Sequence, residues 1–318
     1  MNHFVKASVA TAVILGTSLV AGSAFAGIAN TRHNLGAPTG PNSTDGTGEI
    51  CIFCHTPHGG STEVGGVKVA VPLWNKALTT AVFTTYDQLG TSTLDAGVGP
   101  VGSVSLACLT CHDGTQAIDN IINAPGSGGY DRTGGGVGGL DWTWATDGTL
   151  DTTGRFTGSV DDGGTNANIW EIGTDLTNDH PVSMQYAGGG YSFTNQVLAQ
   201  GATLDEDFAA ASRIGTAGRW YVDNTIEGTP GSFDKWDFKL YTRDTTGFAD
   251  NPNNGAVFAG EKEPFVECGS CHDPHFETTT FLRMSGQVNL VTDLNGGVAP
   301  AGAQSNTGSR VCLTCHTK

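Results

Sequence analysis

The chain has 318 residues, with 31 acidic and 15 basic side chains and a formal net charge of −16, so it has room for one large or two ordinary domains and disfavours nucleic acid or an anionic membrane as a partner. Glycine accounts for 47 residues, roughly twice its average share of about 7%, and large apolar residues are few. This composition predicts that the polypeptide alone makes a poor core.

The first 26 residues have the pattern of a secretory signal peptide. A short start containing Lys6 precedes an apolar stretch over residues 7–21, and Ala24 and Ala26 are the small residues that precede a cleavage site. The apolar stretch is shorter than the roughly 20 residues that a membrane-spanning helix needs. We therefore expect cleavage before Gly27 and export of a chain without a membrane span.

Two Cys-x-x-Cys-His motifs follow within residues 51–112. Two further histidines lie near them, His33 in "GIANTRHNLG" and His58 in "CHTPH". Motif 1 consists of Cys51, Cys54 and His55, and motif 2 consists of Cys108, Cys111 and His112.

Residues 113–267 form a long insertion rich in Gly, Thr, Asp and Asn. Such a composition predicts turns and short strands. Within it, "KWDFKLY" predicts a strand with Trp236, Phe238 and Leu240 on one face, because apolar residues alternate with polar ones.

Two other segments of the insertion carry local signals. "TLDEDFAAASRI" places Thr203 and Glu206 at the spacing of a capping box and predicts a short alanine-rich helix. His180 precedes Pro181 in "NDHPVS", and the residue before proline is restricted to extended conformations. This histidine is therefore expected to project from a loop.

The last part of the chain repeats the arrangement of the first. "CHDPH" contains a further histidine, His275, at the same spacing as His58 in the first motif. Motif 3 consists of Cys268, Cys271 and His272, and motif 4 consists of Cys312, Cys315 and His316.

All eight cysteines lie in these motifs, and each pair is followed directly by histidine. With nine histidines in 318 residues, four such coincidences have a chance probability of about 10⁻⁶, so the pattern predicts covalent c-type haem. Disulfides do not need the histidine, and two zinc sites would use eight thiolates and leave four histidines without a role. We expect four haems, numbered by motif, with proximal ligands His55, His112, His272 and His316.

The remaining histidines predict the coordination of the irons. Once the signal peptide is removed, eight histidines remain, and four haems with two axial imidazoles each require eight. No iron is then left with an open position for substrate. A hydrogen-bonding role for a single histidine, or a thioether ligand from Met184 or Met284, stays open as an alternative. The expected distal ligands are His33, His58, His180 and His275.

The two "HxPH" segments limit which haem their second histidine can reach. Three residues extend at most about 11 Å, too little to pass around a macrocycle to its other face. Pro57 and Pro274 also keep the chain extended. We therefore expect His58 and His275 to ligate other haems, with haem 2 as the target of His58 and haem 4 as that of His275.

These features predict a mostly irregular, coil-rich multihaem cytochrome c with short helices and a few short β-strands, organised around a chain of four haems. Residues 27–318 form one domain, with haems 1 and 2 in 27–112, the insertion in 113–267, and haems 3 and 4 in 268–318. Because the apolar residues are few, we expect folding to depend on haem attachment.

The segments "TRHNL", "CHTPH", "NDHPV", "CHDPH" and the terminal "CLTCHTK" resemble the tetrahaem outer-surface cytochromes of the OmcE type, which polymerise into extracellular nanowires. The similarity runs from the mature N-terminus to the last motif. It implies bis-histidine haems stacked along a filament, with one distal histidine supplied by a neighbouring subunit. On this resemblance, His58, His180 and His275 ligate within their own chain, and His33 is the residue that crosses.

The expected function is electron transport as the repeating subunit of an extracellular conductive filament. Its partners would be identical subunits arranged head to tail, other multihaem cytochromes as donors, and external acceptors such as metal oxides. The alternative is a monomeric periplasmic tetrahaem shuttle, which gains nothing from a long insertion between its haem pairs. An enzyme with a catalytic iron is the weakest hypothesis, because the number of histidine ligands equals the number that four irons need.

Overall fold

The structure is a computed structural model that describes residues 27–36, 49–61, 63–64, 67–68, 71–90, 96–123, 150–151, 154–156, 171–189, 205–214, 219–225, 228–244, 262–277, 281–284 and 307–317. The expected signal peptide, residues 1–26, lies outside the described residues. Within these ranges, no helix combines the length and the apolar character needed to cross a bilayer.

The helices are short and coincide with the Cys-x-x-Cys-His motifs. Motif 1 begins in a 3-10 turn, Cys51–Phe53. Motifs 2, 3 and 4 lie at α1 (Ser103–His112), α2 (Cys268–Cys271) and α3 (Thr307–Cys315). Further 3-10 turns are Gly27–Asn30, Tyr86–Leu89 and Tyr186–Gly188.

A five-stranded antiparallel sheet is built from the insertion between motifs 2 and 3. The described strands are β1 (Glu63–Val64), β2 (Val67–Lys68), β3 (Met184–Gln185), β4 (Ala211–Ile214), β5 (Arg219–Val222), β6 (Phe238–Asp244) and β7 (Lys262–Val266). The strand order of the sheet is β3-β7-β6-β5-β4, and a separate hairpin pairs β1 with β2.

The strand predicted from "KWDFKLY" is confirmed for its second half. Phe238 and Leu240 are buried in β6, and they pair with Val222 and Trp220 of β5. Trp236 precedes the strand. Alternating apolar residues therefore form one covered face of the sheet.

The predicted alanine-rich helix does not form in the described part of its segment. Ala211–Ile214 is strand β4, which pairs along its whole length with β5. Glu206 lies in a turn, and Thr203 is outside the described residues. Pairing with β5 buries Ala211, and this tertiary contact outweighs the helix propensity of alanine.

The sheet places motif 3 directly beside motif 2. Strand β7 leads through Glu267 into α2, and α2 packs on β6 and α1. Gly269 allows this close approach, since a Cβ at that position would lie 2.5 Å from the Tyr241 hydroxyl and 2.9 Å from Cγ1 of Val104. A residue after the first cysteine of motif 3 therefore sets the distance between two attachment sites.

Residues 27–36 pack against other parts of the chain. The Gly27 amide donates to the His275 carbonyl at 3.2 Å, and Leu35 is buried beside Phe53. This segment is thus held by motif 1 and by the loop after motif 3.

Candidate functional site

Successive attachment motifs share the same apolar clusters. Cys54 of motif 1 and Cys111 of motif 2 both pack against one buried cluster. Cys271 of motif 3 and Cys315 of motif 4 both pack against the core of the sheet. Motifs that follow one another along the chain are therefore also neighbours in space at both ends of the series.

Motifs 2 and 3 meet through their first cysteines. The thiols of Cys108 and Cys268 share a hydrogen bond, which raises the pKa of Cys108 and lowers the pKa of Cys268. The Cys268 amide also donates to the Ser105 hydroxyl of α1 at 3.0 Å. The four motifs thus form one continuous series of contacts, 1 to 2 to 3 to 4, despite the long insertion.

His55 of motif 1 faces His275 from the loop after motif 3. The ring centroids are 6.3 Å apart and the planes are inclined by 21°. Nδ1 of His55 lies 2.7 Å from the Pro72 carbonyl, and Nδ1 of His275 lies 2.8 Å from Oδ1 of Asp273. Because Nδ1 of each ring faces an acceptor, Nε2 is the nitrogen left for a metal.

A buried arginine fixes the carboxylate that holds His275. Nη2 of Arg283 lies 2.8 Å from Oδ2 of Asp273, and Arg283 is buried. Although burial raises the pKa of Asp273, the hydrogen bond from His275 and the charge of Arg283 together lower it well below its usual range. Asp273 is therefore an ionised acceptor behind one imidazole.

His112 of motif 2 faces His33 from the mature N-terminus, with ring centroids 6.3 Å apart. Phe281 stacks on the His33 ring at 4.2 Å and 6°. Burial, and then the neighbouring His112, His275 and His272, lower the pKa of His33 to about 3. The ring is therefore neutral at physiological pH, which is the state that binds a metal.

His272 of motif 3 faces His180, at ring centroids 6.1 Å apart and planes inclined by 25°. His180 is exposed and precedes Pro181 in a loop without regular secondary structure. The loop position agrees with the expectation from the sequence, and the structure adds which motif the loop faces.

His316 of motif 4 has no second imidazole beside it among the described residues. Its ring packs on Phe208, with centroids 4.2 Å apart, and it is exposed. His58 is exposed as well, and its carbonyl accepts hydrogen bonds from Thr56 and Asn123. One motif histidine and one other histidine are therefore left outside the three facing pairs.

The spacing of the three pairs fits an iron held between two imidazoles. With metal–nitrogen bonds of about 2 Å and about 1.1 Å from ring centre to nitrogen, axial imidazoles have centroids about 6.2 Å apart. The observed separations are 6.1–6.3 Å. In the described part of the chain, three or more His, Cys, Asp or Glu side chains do not gather into a site for a bare metal ion. The residues present therefore fit a haem iron, for which two protein nitrogens suffice.

The pairing of histidines differs from the assignments made from the sequence. His275 lies beside His55 of motif 1, whereas the sequence argument assigned it to haem 4, and His33 lies beside His112 of its own chain. His58 is exposed. The chain-reach argument excludes a residue's own haem, but it does not choose among the others. The iron that each histidine ligates, and a crossing of His33 between subunits, stay predictions.

Three supporting residues were not identified from the sequence: Pro72, Asp273 and Phe281. Asp273 stands between His272 of motif 3 and His275 in "CHDPH", and a carboxylate beside a histidine is a recognisable signal for a residue that orients a ligand. Pro72 acts through its carbonyl and Phe281 through a stacking contact, and neither has a local sequence pattern.

Comparison with known proteins gave no match to a family model and no curated protein of significant similarity. The assignment of a function therefore depends on the motifs and on the geometry of the histidines.

Proposed function

We propose that the chain is a tetrahaem c-type cytochrome that carries electrons along a series of bis-histidine haems. The observation that supports it is the pairing itself. Three motif histidines each face one further histidine at 6.1–6.3 Å. Nothing in ordinary core packing requires every facing pair to combine one motif histidine with one histidine outside the motifs.

The residues of this chain would hold each cofactor in a fixed place and leave its iron without a free position. The cysteines of each motif would supply the thioether links, and two histidines would bind each iron. Haem bound in this way supplies reversible one-electron transfer. Since the motifs contact one another in series, electrons could pass between neighbouring cofactors without a diffusing carrier.

We further propose that the subunits join head to tail into an extracellular filament, with His58 of one copy completing haem 4 of the next. His58 follows motif 1, His316 belongs to motif 4, and both are exposed. These motifs stand at opposite ends of the contact series. A contact between unlike surfaces propagates as an open filament when its rotation does not close. His58 thus takes the crossing role that the sequence assigned to His33.

The first test is the cofactor content of the exported protein. We expect an intact mass that includes four covalent haems and loss of residues 1–26. Optical and electron paramagnetic resonance spectra should show low-spin iron throughout in the assembled material. A mass without haem would overturn the proposal, and a substantial high-spin fraction in assembled protein would instead favour a catalytic iron.

The second test separates a ligand that crosses between subunits from one that does not. His58→Ala should keep four attached haems, convert one to high-spin, and abolish filaments seen by electron microscopy. His33→Ala is the matched control. It should also give one high-spin haem, but filaments should still grow because His33 faces His112 of its own chain. Normal low-spin filaments from His58→Ala would overturn the crossing role of His58. A wild-type protein that stays monomeric with every haem low-spin would instead point to the periplasmic shuttle.

A further inference from the structure

Lys76 is a charged side chain that is buried beside two attachment motifs. It is 1% exposed. Its Nζ donates to the carbonyl oxygens of Ile118 at 2.7 Å, Asn120 at 3.2 Å and Ala117 at 3.4 Å. An ammonium group has three N–H donors, and here three carbonyls lie around it.

The structure shows no carboxylate in ion-pair contact with Lys76 in the part of the chain that it describes. A buried ammonium is costly unless it is hydrogen-bonded and paired with a negative charge. The three carbonyls supply the hydrogen bonds, but their dipoles do not cancel a full charge. Lys76 therefore places a positive charge in an interior region that also holds the buried side chains of Asp113 and Asp119.

The backbone around Lys76 connects it to motif 1 on one side and to motif 2 on the other. The Asn75 amide donates to the Cys54 carbonyl at 3.0 Å. The acceptor carbonyls of residues 117–120 lie a few residues beyond His112. Lys76 thus bridges the two segments that carry the first two attachment sites.

The ammonium of Lys76 lies close to both of these sites. Ile118, whose carbonyl accepts from Nζ of Lys76 at 2.7 Å, belongs to the buried cluster against which Cys54 of motif 1 and Cys111 of motif 2 both pack. A positive charge in the interior beside both motifs also stabilises negative charge on cofactors attached there. A haem gains one unit of negative charge when it accepts an electron.

We infer that Lys76 raises the reduction potentials of haems 1 and 2 above the values that they would have with a neutral side chain at this position. The inference rests on the proposed haem content. Haems 3 and 4 are attached outside the two segments that Lys76 joins, so their potentials should depend less on this charge.

The experiment is a spectroelectrochemical titration of the intact, haem-loaded protein. Lys76→Gln removes the charge while keeping amide donors for the carbonyls, and Lys76→Met is a second neutral variant in case Gln does not fold. Lys76→Arg keeps the charge and is the matched control. In a neutral variant, two of the four reduction potentials should fall by at least about 59 mV. For a one-electron couple this shift equals a tenfold change in the ratio of reduced to oxidised haem. Lys76→Arg should retain the wild-type values.

To assign a shift in reduction potential to one haem, Lys76 is also neutralised in the His33→Ala variant, in which haem 2 should give a separate high-spin signal. That signal should titrate at lower potential when Lys76 is also neutralised. Unchanged potentials in a neutral variant that keeps four haems would overturn the inference and leave Lys76 a purely structural link. Equal shifts in Lys76→Arg and Lys76→Gln would overturn it too. A wild-type protein without four haems would instead count against the proposed function.

Discussion

At the scale of single residues, the two imidazoles of the His55–His275 pair have different acceptors behind them. His55 faces the neutral carbonyl of Pro72 at 2.7 Å, whereas His275 faces the carboxylate of Asp273 at 2.8 Å. An ionised acceptor makes the stronger hydrogen bond and increases the basicity of the ring. The orientation of His275 should therefore depend on one side chain.

Replacing Asp273 tests that dependence. Asp273→Ala should free the His275 ring to rotate and convert part of one haem to high-spin, and it leaves buried Arg283 without its ion pair, at a cost of about 3 kcal/mol in the free energy of unfolding. Asp273→Asn keeps an oxygen that can accept from Nδ1 and should stay low-spin. Electron paramagnetic resonance checks the spin state. A fully low-spin Asp273→Ala protein would show that the carboxylate does not position the ligand.

At the scale of elements, Glu267 joins α2 to α1 and to the loop before β3. Its carboxylate accepts hydrogen bonds from the hydroxyls of Ser105 and Ser183 and lies 3.5 Å from Nη1 of Arg243. It also caps the N-terminus of α2 in a capping box with Ser270. One buried side chain therefore holds the segments that carry motifs 2 and 3 together.

Truncating Glu267 should loosen this junction. Glu267→Ala removes the acceptor of two buried hydroxyls and the carboxylate that lies beside Arg243, and we expect the free energy of unfolding to fall by about 3 kcal/mol. Denaturant titration of the haem-loaded protein measures it. The exposed carboxylate Glu206 is the matched control, and Glu206→Ala should change stability by less than about 0.5 kcal/mol. Equal effects at both positions would contradict the role of Glu267 as a junction.

The stability that depends on Glu267 should also vary with pH in a defined direction. Burial raises the pKa of Glu267, and Arg243 and the two serine hydroxyls oppose it only in part. The folded chain therefore keeps a proton on the Glu267 carboxyl at pH values above about 4.3, where the unfolded chain has already released it. Stability relative to Glu267→Gln should therefore be greatest below that pH and decline as pH rises through the folded pKa. An increase over the same range would show that the ionised form is the stabilised one.

At the scale of the whole molecule, the apolar core of the described residues is divided into small clusters. They contain between three and eight buried residues, and cysteines of the Cys-x-x-Cys-His motifs pack at the edges of three of these four clusters. Met184 and Met284 are buried, and Met284 belongs to the cluster under the sheet. Clusters of this size bury too little apolar surface to offset the conformational entropy of a long chain.

We therefore expect residues 27–318 to remain without cooperative tertiary structure when haem is not attached. The chain produced without its export signal, in a compartment that does not attach haem, should show weak near-ultraviolet circular dichroism and no sharp transition in denaturant. The same residues matured with haem are the control and should unfold cooperatively. A cooperative transition in the haem-free chain would show that the sheet and its clusters suffice for folding.

The features that the sequence alone determined are those that depend on the spacing of residues close together in the chain. The cysteine pairs, the histidine after each pair, and the apolar positions Phe238 and Leu240 can be identified without coordinates, because a thioether site and a strand face each involve residues a few positions apart. The number of histidines likewise predicts two per haem. The helix prediction for the alanine-rich segment was wrong for the same reason. Its local propensity favours a helix, whereas pairing with β5 makes Ala211–Ile214 a strand.

Only the tertiary structure decided which histidines face each other. His55 and His275 lie 220 positions apart in the sequence, and they meet because the antiparallel sheet returns the chain from motif 2 to motif 3 and Gly269 lets the two helices approach. The packing of Gly27 and Leu35 turns the N-terminal segment inward, so His33 faces His112 and His58 is left exposed with His316. Local periodicity does not predict such contacts between distant histidines, because each contact depends on where the sheet places the ends of the segments between the motifs.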